Sequence, residues 1–314
     1  MIKGLKSGGF MEQKSKDWFL SYGILLGKRF TEKQKLKFIT RAKKELENMG
    51  YQTEVSQTTL SGRGFGKKTY YNLYAGDTIH SDILIYTYYD TPMKRFFSNT
   101  LFAFQSNYDK KNMIFSFLLG MMIIFISVFV FVNFIHANIV KNGIFSIWGL
   151  AFVLLLLAAF GCINGLKYGI ANTNNIVRNS SSIIAMLSLI DQLEEAKKQR
   201  ICFAFIDEGT SSEIGIKILE KYLPKNKKIK IYLDCVGAKG EINVLSDIKY
   251  PSPHRRDMIK KYSRYGSILL TRGVFMGEEI QIEPVKYDSF EAFEQQNNEI
   301  VGELNKILKQ ILKT

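Results

Sequence analysis

Two long apolar runs divide the chain. Met113 to about Ile135, and Ile144 to about Ile163, are almost purely apolar and contain no Asp, Glu, Lys or Arg. Each is about 20 residues, enough to cross a hydrocarbon core of roughly 30 Å as a helix. Only His136-Ala-Asn-Ile-Val-Lys-Asn-Gly143 separates them, which reads as a short polar turn. The pattern predicts a transmembrane hairpin of two helices over 112–165. A hairpin enters and leaves on one side, so the polar segments before and after it share a compartment and can build one interrupted domain.

In those segments the apolar period alternates between helix and strand. Thr31 to Met49 reads as a helix, with Thr31 as N-cap, Leu36, Ile39, Leu46 and Met49 on one face, and Gly50 as the stop. Tyr51 to Val55 and Tyr70 to Ala75 read as strands. Between them, Ser61-Gly-Arg-Gly-Phe-Gly-Lys-Lys-Thr69 has the glycines of a phosphate loop without its spacing, and reads as a hairpin tip. Ile83 to Tyr89 is a strand ending in Asp90-Thr-Pro92. After the hairpin, the polar stretch Asn172 to Asn179 precedes Ser180 or Ser181, either of which caps a helix carrying Ile183, Ile184, Leu187, Ile190 and Leu193. Ile201 to Ile206 is a strand, Ser211 or Ser212 opens a helix through Tyr222, and Ile229 to Leu233 is a strand. Ile242 to Leu245, Ser267 to Thr271 and Val274 to Met276 are shorter strand candidates. Phe290 to Leu312 is an amphipathic helix with Ile300, Leu304, Ile307, Leu308 and Ile311 as its stripe. The alternation predicts a three-layer αβα domain with a largely parallel mixed sheet, discontinuous over 31–111 and 166–314. Residues 1–30 read as an arm packed on that domain, or as an interfacial segment beside the hairpin.

Charge adds orientation. The chain has a formal net charge of +14. Lys110 and Lys111 precede the first apolar run, Lys167 and Arg178 follow the second, and Lys141 stands alone in the turn. Basic residues stay on the cytoplasmic side. The expected location is therefore the cell membrane, multi-pass, with the main domain cytoplasmic. No secretory h-region is visible in Met1 to Lys16. An anionic leaflet suits the excess charge, and no nucleic-acid recognition motif accompanies it. Cys162, Cys202 and Cys235 are odd in number and irregular in spacing, as expected of reduced packing residues.

Candidate chemistry lies at strand ends. Asp90, Asp207-Glu208 and Asp234 each follow a strand, and acids so placed can converge on one crevice and bind metal. They can equally shape turns or stay solvated.

The order of these segments resembles the zinc-dependent aminopeptidase family, with the di-zinc exopeptidase fold. The resemblance runs through Leu46-Glu-Asn-Met-Gly-Tyr51, Asn72-Leu-Tyr-Ala-Gly76, Ile83-Leu-Ile-Tyr-Thr-Tyr-Tyr-Asp-Thr91, Arg178-Asn-Ser-Ser-Ser182, Phe203-Ala-Phe-Ile-Asp-Glu-Gly209 and Ile231-Tyr-Leu-Asp-Cys-Val-Gly237. It implies a ligand set of two His, a bridging Asp, a Glu and a further Asp, with a general-base Glu. At those places this chain has Tyr88 for the first His, Arg178 for the bridging Asp, and Gly209-Thr210 or, two residues earlier, Asp207-Glu208 for the Glu pair. Near Lys286-Tyr-Asp-Ser289 the last His is missing. Asp234 matches a ligand, and Asp90 matches the residue that orients one. None of His80, His136 and His254 falls at a ligand position. The resemblance thus implies cleft positions Tyr88, Asp90, Arg178, Asn179, Asp207, Glu208, Asp234 and Tyr287 without the peptidase chemistry. A phenol is a poor replacement for imidazole, and a guanidinium repels a metal pair.

The expectation is a membrane-anchored pseudoenzyme that binds a peptide or protein partner, such as a membrane-complex subunit, with no cofactor. One alternative is an active metallo-hydrolase with Asp90, Asp207, Glu208 and Asp234 around one zinc. The other is a basic membrane-surface module in which the cleft plays no part.

Overall fold

The computed structural model describes residues 13–62, 66–92, 94, 100–105, 110–167, 171–172, 175–209, 214–223, 228–247, 256–283, 285, 287 and 289–313. In chain order its main elements are α1 (Glu32–Asn48), β1 (Thr53–Gly62), β2 (Gly66–Ala75), β3 (Ile83–Tyr88), β4 (Leu101–Phe102), α2 (Lys110–Val130), α3 (Ile147–Lys167), α4 (Ser181–Gln192), β5 (Ile201–Ile206), α5 (Ile214–Tyr222), β6 (Ile229–Leu233), β7 (Glu241–Ser246), α6 (Arg256–Tyr262), β8 (Ile268–Met276), β9 (Glu279–Ile282) and α7 (Phe290–Lys313). They fall into two compact units. One comprises Met1–Pro92, Thr100–Tyr108 and Thr173–Thr314; the other comprises Met93–Asn99 and Asp109–Asn172.

The first unit is mixed α/β. Among the described residues its strands form one sheet in the order β1-β2-β5-β3-β6-β8-β9-β4, with β7 also on β8. β5, β3, β6 and β8 run parallel and the remaining pairings are antiparallel. Side chains alternate across a strand, so a sheet covered on both faces needs continuous apolar runs. β3 and β5 have them. Ile83, Ile85, Ile201, Phe203 and Phe205 face a core shared with α1, α4 and α7. Leu84, Tyr86, Tyr88, Cys202, Ala204 and Ile206 face a second core shared with α5 and α6.

Several local expectations need correction. In α1, Thr31 closes a capping box with Gln34, but the buried face is Lys35, Phe38, Ile39, Ala42 and Leu46, and Leu36 is exposed. The β1–β2 hairpin extends through polar residues because backbone pairing holds it while its outer side chains stay in solvent. Ser180 caps nothing. It already has helical backbone angles, because a π-helical turn, Ile176–Ser180, leads directly into α4. Ser267–Thr271 and Val274–Met276 are one strand, β8, since the chain stays extended through Gly273. The hairpin to β9 turns at Gly277, whose φ is +65°. The N-terminal segment packs on the domain. It is helical over 13–18 and π-helical over Phe19–Leu25, and buries Trp18 and Tyr22 in the larger core.

In the second unit, Ile114–Asn142 and Ile147–Leu166 are long and apolar enough to cross a membrane, with 0% and 6% of the respective windows buried. Core helices of soluble domains bury one face, and these do not. The expected polar turn over His136–Gly143 is corrected: α2 continues through a π-helical stretch, Phe131–His136, and on through Ala137–Asn142. Asn133, Asn138 and Asn142 each donate a side-chain hydrogen bond to the carbonyl four residues earlier, so polarity there does not break the helix. The break comes at Gly143, whose φ of +86° favours glycine.

Candidate functional site

The C-terminal ends of three adjacent parallel strands, β5, β3 and β6, bring together most of the residues singled out by sequence. Tyr88 ends β3, Asp207 follows β5 and Asp234 follows β6. All three are almost fully buried. The Tyr88 hydroxyl donates to Asp234 Oδ1 at 2.6 Å and accepts from Arg178 Nε at 2.8 Å. Asp234 also receives the Phe104 backbone N–H at 2.7 Å and the Cys235 thiol at 3.0 Å. Arg178 Nη2 donates to Gln105 O at 3.2 Å, while Nη1 is buried without a hydrogen-bond partner among the described residues. Burial pushes the Tyr88 hydroxyl well above the ordinary tyrosine range and outweighs the pull of Arg178. The phenol therefore stays protonated and serves as a neutral bridge between cation and carboxylate. Burial, reinforced by Asp234, likewise raises the Cys235 thiol, which leaves it a poor nucleophile.

A second charged cluster sits at the end of β5. Lys35 Nζ lies 2.5 Å from Asp207 Oδ1 and 3.3 Å from Glu208 Oε1. Lys68 Nζ lies 2.5 Å from the same Glu208 oxygen. Asp207 additionally receives the backbone N–H of Tyr71 at 3.3 Å and of Glu208 at 2.8 Å. Three non-glycine residues around these clusters have positive φ: Phe104 at 57°, Glu208 at 52° and Cys235 at 54°. Such backbone strain concentrates where a fold fixes side chains for a purpose.

Gly209 passes so close to Tyr88 that a Cβ there would overlap the tyrosine Cβ and Cγ. We expect Gly209→Ala to destabilise the chain by about 1–3 kcal/mol, the usual cost of overpacking a filled site. Thermal unfolding followed by near-ultraviolet circular dichroism checks this, and an unchanged transition would contradict the packing.

Asp90 and Asn179 have positioning contacts. Asp90 Oδ1 accepts the Gly209 N–H at 2.9 Å, and Asn179 Nδ2 donates to the carbonyls of Tyr89 and Asp90. Tyr287 stands apart. Its hydroxyl lies 2.6 Å from Gly237 O and 2.6 Å from Gln296 Oε1, and its ring packs edge-on against Phe293. His80 is exposed and paired with Asp77. Thr210, Lys286, Asp288 and His254 lie outside the described residues.

Sequence reasoning missed Lys35, Lys68 and Arg29. Lys35 carried a signal, because it falls on the apolar stripe of α1, three and four positions before Phe38 and Ile39. Arg29 is wholly buried and was hidden in a segment with no clear period.

No family model and no curated protein matches the chain. The chain is similar to glutaminyl cyclases and zinc-dependent exopeptidases of known structure. The glutaminyl cyclase of Porphyromonas gingivalis shares 12% identity over 73% of this chain and 61% of that one, with a TM-score of 0.40. A leucine aminopeptidase precursor from Bacteroides thetaiotaomicron VPI-5482 shares 13% over 73% and 62%, with a TM-score of 0.38. A Zn-dependent exopeptidase from Parabacteroides distasonis ATCC 8503 shares 10% over 90% and 78%, with a TM-score of 0.41. The chain spans about three-fifths of the first two proteins.

One expectation is corrected by these neighbours. The chain was expected to need no cofactor, yet the similar structures include an exopeptidase named as Zn-dependent, so a cofactor-free reading does not follow from this fold. The residues in place are nevertheless a poor fit to a zinc pair. Zinc takes free Cys, His or carboxylate donors. Here Asp234 is engaged by Tyr88, Phe104 and Cys235, and Asp207 and Glu208 are engaged by lysines. Among the described residues no group of three or more His, Cys, Asp or Glu is placed to hold a metal ion.

Proposed function

We propose that this is a membrane-anchored, aminopeptidase-like pseudoenzyme that binds a protein partner, as a subunit of a membrane complex. One observation carries the non-catalytic part of the reading: the carboxylates of the crevice are already engaged by neighbouring donors. Arg178 and Asp234 share the Tyr88 hydroxyl, and Lys35 and Lys68 take Asp207 and Glu208. Hydrolysis needs a free carboxylate to accept a proton and an open place for the scissile bond. Carboxylates held by the Tyr88 phenol and by two ammonium groups do not offer the first. The altered-site hydrolase needs Asp90, Asp207, Glu208 and Asp234 turned towards one ion, and the lysine pairing of Asp207 and Glu208 works against it. Anchoring is supported by the two long apolar helices, and a cytoplasmic main domain by Lys110 and Lys111 before them and Lys167 and Arg178 after them, against Lys141 alone between them.

The test uses the full chain purified in mild detergent. With zinc supplied, turnover of aminoacyl anilides and of N-terminal glutaminyl peptides should not rise above that of an Asp234→Asn variant. The native mass of the purified material should correspond to a complex of fixed stoichiometry with a second protein. Turnover lost on Asp234→Asn would overturn the non-catalytic reading. A chain that behaves as a single species in its native host would overturn the subunit reading.

A further inference from the structure

The N-terminal segment has two faces, and only one is accounted for by the core. Trp18 and Tyr22 point inward, and Trp18 Nε1 is tied to Glu45 at 3.0 Å. Leu20, Ile24 and Leu25 point outward, with 43%, 56% and 79% of their surface exposed. Exposed large apolar side chains elsewhere in this unit, such as Leu36, Leu60 and Ile79, stand singly, and Val274 and Met276 form a pair. A cluster of three on consecutive turns marks an interaction surface. Its flanks indicate the partner. Lys16 and Lys28 are exposed on either side of it, and the acids beside Lys16 are Asp17, hydrogen-bonded by Gln13, and Glu291. Apolar side chains bordered by lysines suit a bilayer interface, where leucines enter the acyl boundary and ammonium groups meet anionic headgroups.

We propose that Leu20, Ile24 and Leu25 bed into the surface of an anionic lipid bilayer, with Lys16 and Lys28 on its headgroups. This rests on the reading of the chain as membrane-anchored, since a tether to the bilayer makes so small a patch sufficient. Each basic residue near an anionic surface adds to the attraction, which falls off within a Debye length.

The experiment places an environment-sensitive nitrobenzoxadiazole label on single thiols of the full chain. The chain is reconstituted in phosphatidylcholine–phosphatidylglycerol vesicles carrying nitroxide lipids. Native Cys162 is exposed within an apolar helix and reports the anchor, while Cys202 and Cys235 are buried. Leu25→Cys and Ile79→Cys are each made with Cys162→Ser. The label at 25 should emit to the blue and be quenched by lipid nitroxides, as at Cys162, while the label at 79 stays open to aqueous iodide. A label at 25 that behaves like that at 79, with Cys162 quenched, overturns this proposal and leaves the anchor intact. A blue-shifted label at 25 untouched by lipid nitroxides also overturns it, because protein then covers the patch. An unquenched Cys162 label overturns the anchored reading itself.

Discussion

Lys35→Met should destabilise the first unit by about 3–5 kcal/mol at neutral pH, the cost of leaving a buried charge without its partner. For a unit of this size that is a fall in melting temperature on the order of 10 °C. The reason is local. Asp207 is completely buried, and Lys35 is the cation 2.5 Å from its carboxylate. Lys68 cannot replace it, because it is half-exposed and reaches Glu208 instead. Methionine fills the aliphatic volume of the lysine, so the loss reports charge more than packing.

The sign of the pH dependence separates this from a simple cavity. Burial raises the Asp207 carboxyl above its ordinary value even with Lys35 opposing it, and removing Lys35 raises it further. An acid raised in the fold destabilises above its folded value, and the penalty is relieved as pH falls through that value towards about 3.9. The gap between variant and wild type should therefore narrow from pH 7 towards pH 4–5. Lys35 is itself held above its ordinary value: burial pulls it down, and Asp207 and Glu208 more than offset that. Its contribution is complete below about pH 10.4 and is lost as pH rises through its folded value, so it plays no part in the acid window. Adding Asp207→Asn to Lys35→Met should restore much of the loss, since no unpaired charge remains. A gap that is flat with pH, or a double variant no better than the single one, would show that the pair is not the stabilising element.

The sheet was legible because its central strands are buried on both faces. Ile83–Tyr88 and Ile201–Ile206 are unbroken, fully buried apolar-rich runs, Ile229–Leu233 is interrupted by Lys230 alone, and their ends were placed within a residue. The edges were not legible. β4 is two residues long and β9 four, too short for any period to rise above chance, and β1 beyond Val55 is mostly polar and partly or fully exposed. Helix ends that depend on π-helical turns, at Ile176–Ser180 and Phe131–His136, leave no mark in a 3.6-residue period.

The site was legible as a set of places but not as a set of bonds. Strand ends carrying Tyr88, Asp207 and Asp234 could be read directly, because position at the end of a parallel strand follows from the strand itself. Their partners could not. Arg178 and Lys35 come from elements separated from those strands by long stretches of chain, and although the apolar stripe of α1 marks Lys35 as buried, no local pattern pairs either cation with its acceptor. The reading of Arg178 as a cation that repels a metal pair and could meet a carboxylate did not name its partner; the structure joins it to Asp234 through the Tyr88 hydroxyl.

Arg29→Met should be at least as damaging, above about 4 kcal/mol, in the range where a single substitution points to a broken buried network. Each of the five N–H groups of Arg29 has an acceptor. Nε donates to Tyr89 O at 2.5 Å, Nη1 to Tyr22 O at 2.9 Å and to Leu26 O, and Nη2 to Asn179 Oδ1 at 3.0 Å and Ser180 Oγ at 2.8 Å. Burial pulls the guanidinium down to about 9, with Asp90 opposing, so it stays charged at neutral pH. Removing it takes a donor from three backbone carbonyls; Tyr22 O and Tyr89 O keep Ser180 Oγ and Asn179 Nδ2, and Leu26 O loses its side-chain donor, while Asn179 Oδ1 and Ser180 Oγ lose theirs, a buried group left unsatisfied costing about 1–3 kcal/mol. Arg29→Lys should rescue little, because an ammonium keeps the charge but has three donors on one atom and cannot span a fork of five acceptors. The two bonds from Nη1 hold the N-terminal segment at Tyr22 and Leu26, so the first consequence is local release of that segment. Trypsin should then cut after Lys16 and Lys28 well below the melting temperature in both variants, and not in wild type. Equal tryptic patterns and equal melting for wild type and Arg29→Lys would mean that charge alone, rather than the geometry of the guanidinium, holds the segment to the end of β3.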